Sequence, residues 1–316
     1  MQLPTEKLLN KEAFNSVLGQ TETKRQLISA LLLERHVLVL GAPGIGKTTL
    51  ARSVAKLLPQ IEVEGVKVTG EERFVRVQGS PDLTVEDLLG DIDPIKALKF
   101  GPTSSEAFTP GKIFKADKGV LFFDELNRAP ERLQNALLQV LQERHATIGS
   151  YDVDMPTDFI FIATMNPEDS NTEKVSEVLL DRFDIIYMDY PETLDLEKEI
   201  VTREGKKLCE VSDAMLTMMT HFVRLLRMNK NVQQKPSVRA SLGLFERSQG
   251  LALADGRDKV IVKDIHDSIV SVIAHRITLR ASAKYATSPE QLLGKEFAEF
   301  MQAEGKTFSE SDGDSP

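Results

Sequence analysis

A single cysteine, Cys209, stands in 316 residues. It excludes an internal disulfide and any zinc knuckle built on cysteine, and it suits a reducing compartment. Histidine is almost as sparse, with five residues scattered along the chain and no spacing that makes a structural metal site. No apolar run approaches the ~20 residues that a membrane-spanning helix needs, and the first residues lack a signal-peptide pattern. Positive charge is in deficit: the formal net charge is −9, so non-specific attraction to nucleic acid or anionic lipid is disfavoured. Aromatic and basic residues are nowhere interleaved as they are in grooves that stack on single-stranded nucleic acid. No internal repeat is visible. These absences predict a cytoplasmic protein with no membrane insertion and no nucleic-acid partner.

What remains is an ordinary globular composition, 41% hydrophobic and 28% charged, at a length that suits two domains. Five short apolar runs read as buried strands: Val37–Leu40, Phe74–Val77, Val120–Phe123, Phe159–Ile162 and Ile185–Met188. Helical patterns separate them; Leu133, Leu137, Val140 and Leu141, for example, make one apolar face. Buried strands alternating with helices predict an α/β fold, a parallel sheet covered on both faces, with ligands at the carboxyl ends of the strands. After Pro191 the pattern changes. Residues from about 194 to 279 read as consecutive helices with no convincing strand, and a further helix is expected near Pro289 to Gln302. Residues 305–316, rich in Ser, Asp and Glu, are expected to be disordered.

Gly41-Ala-Pro43-Gly44-Ile45-Gly46-Lys47-Thr48 matches the phosphate-loop pattern G-x-x-x-x-G-K-[ST] in full. It lies between the strand at Val37–Leu40 and a helical run that takes in Thr49 and ends near Leu57, which is the context the chemistry needs. Glycines let backbone N–H groups turn inward, and the helix N-terminus adds positive partial charge toward the phosphates. Lys47 is then expected at the β/γ-phosphates of ATP and the Thr48 hydroxyl on Mg²⁺. The strand Val120-Leu-Phe-Phe ends in Asp124 and Glu125, which would arrive at the same sheet edge. Asp124 is the expected carboxylate on the Mg²⁺ side, acting through coordinated water, and Glu125 the candidate to orient and deprotonate the attacking water. Asn166 follows the strand Phe159–Ile162 and would hold the lytic water or the γ-phosphate by hydrogen bonds; alone, Asn166-Pro167 is equally a turn signal. Arg182 is either an arginine supplied to a neighbouring subunit's terminal phosphate or a surface partner of Asp181 or Asp184. Arg239, at the start of a helix in the second half, is open between a bridge to the γ-phosphate and an ordinary surface arginine.

The order of these motifs carries a resemblance. The phosphate loop, Asp124-Glu125-Leu-Asn127-Arg128-Ala-Pro130, Ala-Thr164-Met-Asn166-Pro, Leu-Leu-Asp-Arg182-Phe-Asp and Pro-Ser-Val-Arg239 together resemble the AAA+ ATPases of the MoxR and magnesium-chelatase I-subunit group. The match runs over roughly residues 14 to 280. It implies a P-loop NTPase αβα domain over residues 1–192, a smaller all-α lid over 193–280, and a C-terminal helix and acidic tail over 281–316. By the same resemblance Lys47 and Thr48 are Walker A, Asp124 and Glu125 Walker B, Asn166 sensor 1, Arg182 the arginine finger and Arg239 sensor 2. Val17-Leu18-Gly19-Gln20 looks like the family's adenine-pocket step, and Arg128 is expected to face a neighbour's nucleotide. Residues 79–111 resemble the helix-2 insert of this group and residues 146–155 the hairpin before sensor 1. A clear aromatic-Gly pore loop is missing; Phe100-Gly101 is the nearest match.

The resemblance further implies a homo-oligomeric ring, with a hexamer expected, and a partner with a von Willebrand A-type domain. Asp93-Pro-Ile-Lys-Ala-Leu-Lys-Phe100 and Phe108-Thr-Pro-Gly111 look like chelatase I subunits, whereas Asn127-Arg-Ala-Pro130 looks like MoxR proteins. The expected function is ATP-driven remodelling of a partner protein. The alternatives are the motor subunit of a magnesium or cobalt chelatase and, less favoured by charge, a helicase-type motor on DNA.

Overall fold

The computed structural model describes residues 3–10, 12–63, 65–101, 104–148, 151–167 and 175–304. Two compact units divide the chain, one of Met1–Ala42 and Gly46–Met188, the other of Pro43–Ile45 and Asp189–Pro316.

In the first unit the principal elements are α1 (Thr21–Leu32), β1 (His36–Leu40), α2 (Lys47–Leu57), β2 (Phe74–Gln78), β3 (Val120–Asp124), α3 (Glu131–Glu143), β4 (Ile160–Met165) and β5 (Phe183–Tyr187). All five strands are parallel, in the order β5-β1-β4-β3-β2. Every apolar run singled out in the sequence contributes a strand, and each strand begins or ends one to three residues from the expected bounds. The central strands are apolar on both faces because helices cover both. Residues 120–123 of β3 have no solvent exposure, which is why their sequence shows no alternation. Phe122, Phe123 and Phe161 are fully buried, each contributing about 1.5–3 kcal/mol relative to an exposed ring. The face expected on α3 is the buried one: Leu133, Leu137, Val140 and Leu141 join Leu38, Phe123, Phe161 and Phe183 in one core.

Between β2 and β3 lie a short helix, Val85–Leu89, a second, Pro94–Phe100, and a two-stranded ribbon pairing Gly90–Ile92 with Phe108–Pro110. Thr84 and Asp87 form a reciprocal capping box at the first helix. A hairpin, His145–Ile148 with Tyr151–Pro156, precedes β4. A further ribbon, Ile61–Val63 with Val66–Val68, was not apparent in the sequence because three-residue strands carry too little alternation to read.

The second unit contains α4 (Leu194–Glu204), α5 (Asp213–Met228), α6 (Val238–Ala254), α7 (Val262–Ile273) and α8 (Pro289–Ala303). Side-chain oxygens cap four of them: Thr193 for α4, Ser212 for α5, Ser237 for α6 and Ser288 for α8, each worth about 0.5–2 kcal/mol. The expectation of helices alone needs one correction. Val232–Gln234 pairs antiparallel with Thr278–Leu279, a strand pair of three and two residues. Residues set apart from the lid in the sequence reading pack in its core: Leu292, Leu293, Phe297, Phe300 and Met301 of α8 bury with Phe222, Leu244 and Ile269. No described helix is long and apolar enough to cross a membrane. Residues 305–316, the expected acidic tail, lie outside the described residues.

Candidate nucleotide-hydrolysis site

The sheet order builds the site. The loop after β1 and the acidic pair after β3 are far apart in sequence, yet only β4 separates their strands. Gly41 N–H donates to the carbonyl of Met165 at 3.2 Å, tying the start of the phosphate loop to the end of β4. Gly44 and Gly46 have φ of 76° and 103°, the left-handed region that favours glycine. Gly46 caps α2 and brings no side-chain oxygen to its first turn, so no capping side chain covers the amides of Lys47, Thr48 and Thr49. The Lys47 ammonium donates to the carbonyls of Gly41 and of Ala42, the latter at 3.1 Å. A cation folded over its own loop, beside helix amides with no capping side chain, is the donor set a polyphosphate needs. Oxygen donors from Thr48 and Asp124 are the hard ligands that suit Mg²⁺.

At the end of β3 a buried hydroxyl organises both acids. Thr164, with no solvent exposure, donates through Oγ1 to Asp124 Oδ1 at 2.6 Å and accepts the Glu125 N–H at 3.1 Å. The second Asp124 oxygen, Oδ2, accepts from Arg76 at 2.6 Å. Glu125 turns out of the strand in a left-handed conformation, φ 57° and ψ 54°. Its Oε2 accepts from Gln78 Nε2 at 2.8 Å and pairs with Arg128 at 3.2 Å. Gly79 lies against this turn. Its N–H donates to the Asp124 carbonyl at 2.7 Å, and a Cβ there would collide with the Glu125 carbonyl oxygen.

Asn166 follows β4 directly, half-buried, on the strand that separates the phosphate loop from the acidic pair. Arg182 donates to the Val178 carbonyl at 2.5 Å and to Gln142 Oε1 at 2.9 Å; the surface pairing anticipated for it, with Asp181 or Asp184, is replaced by these two acceptors. Arg128 pairs with Glu125 of its own chain. Gly19 and Gln20 both have positive φ; Gln20 caps α1, and its side-chain oxygen accepts from Thr23 at 3.1 Å. The hydroxyls of Ser16 and Ser53 lie 2.6 Å apart, fastening this segment to α2. Arg239 is exposed in the first turn of α6, where its N–H donates to Ser237 Oγ at 3.3 Å.

Sequence reasoning missed Thr164, Gln78 and Arg76 as parts of the site. Thr164 stood in a quoted motif, two residues before Asn166, but nothing local marks its hydroxyl as the link between two acids. Gln78 and Arg76 are defined only by register: Gln78 faces Asp124 across the β2–β3 ladder.

Residues 36–185 match the ATPase family associated with various cellular activities, and residues 226–294 match the AAA lid domain. The sheet, the phosphate loop and the acidic strand end are thus those of an AAA+ ATPase, an ATP-hydrolysing enzyme with a helical lid. Within that class the chain belongs to the group that holds the MoxR and magnesium-chelatase I-subunit proteins. It is 30% identical over 299 residues to the chaperone MoxR1 of Mycobacterium tuberculosis, across 84% of this chain and 74% of that protein. It is 25% identical over 322 residues to a magnesium-chelatase subunit ChlI homolog of Methanocaldococcus jannaschii, across 84% and 85%. Among solved structures, a point mutant of Thermotoga maritima RuvB shares the fold, with a TM-score of 0.57 at 19% identity over 84% of this chain and 74% of that one.

Proposed function

We propose that this chain is a MoxR-like remodelling ATPase, which uses ATP hydrolysis to change the conformation of a partner protein. The observation that carries the hydrolytic part is the Thr164 hydroxyl, which joins Asp124 to the Glu125 backbone on the strand beside the phosphate loop. In this reading Gly41 and Pro43 shape the loop, the N–H groups from Gly44 through Ile45 to Thr49 hold the triphosphate, and Lys47 leaves its loop carbonyls for the β/γ-phosphates. Thr48 would hold Mg²⁺ by its hydroxyl and Asp124 through coordinated water, and the ion would neutralise phosphate charge. Glu125 takes a proton from the attacking water, and Gln78 and Arg128 fix the direction of its carboxylate until then. Asn166 orients the water or the γ-phosphate by a hydrogen bond. Val17 to Gln20 receive the adenine. Arg182 acts on the nucleotide of a neighbouring copy in a ring, a hexamer by analogy with the group, and Arg239 contacts the γ-phosphate from the helical unit. Loss of the γ-phosphate removes the contacts of Asn166, Arg182 and Arg239, which supplies the conformational step. A protein with a von Willebrand A-type domain is the proposed partner, and the cytoplasm the proposed site of action.

Glu125→Gln tests the chemistry. Calorimetry should detect Mg·ATP binding much like that of the wild type, with turnover reduced on the order of 10²–10⁴-fold, the range for removal of a general base. Equal hydrolysis by the two proteins would remove Glu125 from the mechanism.

A chelatase motor is the second reading, favoured by the near full-length likeness to magnesium-chelatase subunits. ATP-dependent metal insertion into a porphyrin, on addition of the large chelatase subunits, would select it over partner remodelling. A DNA motor is opposed by the net charge of −9.

A further inference from the structure

The helical unit contains a charge cluster that the hydrolytic site does not use. Glu197 of α4 has no solvent exposure, and the Arg227 side chain of α5 retains 7%. They form a bidentate pair at 2.6 and 2.7 Å. Ser241 Oγ donates to the same carboxylate at 2.6 Å, and Arg224 approaches it at 3.5 Å. Removing two charges from water is costly, and well-packed apolar residues often stabilise a fold as well or better. The arrangement of the remaining donors points to another use.

Both arginines spend their other N–H groups on backbone of two particular segments. Arg224 donates to the carbonyls of Pro191, Glu192 and Thr193 at 2.7, 3.0 and 3.3 Å. Arg227 stacks over Tyr190, 4.7 Å from the ring centroid, and its Nε donates to the Pro236 carbonyl at 2.8 Å. The first segment is the one by which the chain enters the helical unit after β5. The second is the turn whose next residue, Ser237, caps the helix bearing Arg239. Arg239 has Arg276 as a like-charged neighbour; burial and the charge of Arg239 hold Arg276 below the usual arginine value. The Arg239 N–H donates to Ser237 Oγ at 3.3 Å, so this turn and the first residues of the helix are joined by a hydrogen bond.

We infer that Glu197 is a positioning residue for ATP hydrolysis: through Arg227 and Arg224 it locks the 190–193 entry segment to the Pro236–Ser237 turn and so fixes where Arg239 points. This rests on the reading of Arg239 as a γ-phosphate contact.

Glu197→Gln keeps an acceptor for Ser241 and removes the charge that orients both guanidinium groups. The experiment is a double-mutant cycle of Glu197→Gln and Arg239→Ala on the full chain, with kcat, KM and ATP affinity measured for each protein. Glu197→Gln is expected to lower kcat on the order of tenfold, a coupling typical of side chains in one network, with ATP affinity held within about twofold. In the Arg239→Ala background the same change should lower kcat by less than about twofold. Two effects that multiply in the double variant would overturn the proposal while leaving Arg239 in its role. An Arg239→Ala protein with wild-type kcat would sink both. Arg224→Lys, altered at a partly exposed position, repeats the cycle should Glu197→Gln fail to fold; it loses the reach to three carbonyls and keeps the charge. A multiplicative result there counts equally against the inference.

Discussion

At the scale of single residues, one threonine joins the two acids of the site. Thr164 is fully buried and uses its hydroxyl twice, as donor to Asp124 and acceptor from the Glu125 N–H. Thr164→Val keeps the shape and leaves both partners unsatisfied. An unpaired buried polar group costs about 1–3 kcal/mol, so urea unfolding should show a stability loss of that size together with a fall in kcat. Unchanged stability would mean that the two bonds contribute nothing. A second residue gives the protein a pH dependence. His36, at the start of β1, is pushed down to about 4 from 6.5, chiefly by burial, with the Arg144 charge adding and a hydrogen bond to the Leu141 backbone opposing. The folded state thus binds this proton less readily than the unfolded chain. The contribution is complete above about pH 6.5 and is lost as pH falls toward 4, amounting to about 3 kcal/mol at most. His36→Gln should flatten stability over that window; an undiminished slope would assign it to other groups.

At the scale of elements, the active geometry depends on how closely β2 and β3 approach at their carboxyl ends. Gly79 leaves β2 where Glu125 turns out of β3, and a Cβ at Gly79 would run into the Glu125 carbonyl oxygen and sit 2.9 Å from its carbon. Backbone cannot rotate aside as a side chain does. Gly79→Ala is expected to cost about 1–3 kcal/mol as overpacking. It should also lower kcat on the order of 100-fold through misplacement of Glu125. Gly294 makes the control. It lies inside α8 with open space around it, so Gly294→Ala should gain about 0.5–1 kcal/mol and leave turnover alone. Similar losses in both variants would show that strand approach is not what Gly79 secures.

At the scale of the whole molecule, the phosphate loop and the acidic pair are proposed to bind and cleave the triphosphate, and Arg182 to serve another copy. Arg182→Ala and Lys47→Ala subunits should each be nearly inactive alone. Mixed, they should recover part of the wild-type rate, because a Lys47→Ala subunit donates an intact Arg182 to a neighbour whose own loop is intact. Absence of recovery in mixed assemblies shown to form by native mass spectrometry would count against a shared site.

The five buried strands, the helix face of α3 and the phosphate loop were legible from the sequence because each is written in consecutive residues or at a fixed local period. A strand buried on both faces must be an apolar run, and a loop that folds around phosphate must spell its glycines and lysine in order. Asp124 and Glu125 were legible as the end of such a run. Tertiary structure alone decided that Thr164, 40 residues beyond Asp124, holds both acids, that Gln78 and Arg76 face them, and that Glu197 finds Arg227 30 residues away. Those contacts follow from strand order and register and from helix packing. Such pairings are set by the shape of the buried surfaces on both partners, and no local pattern in either segment encodes them.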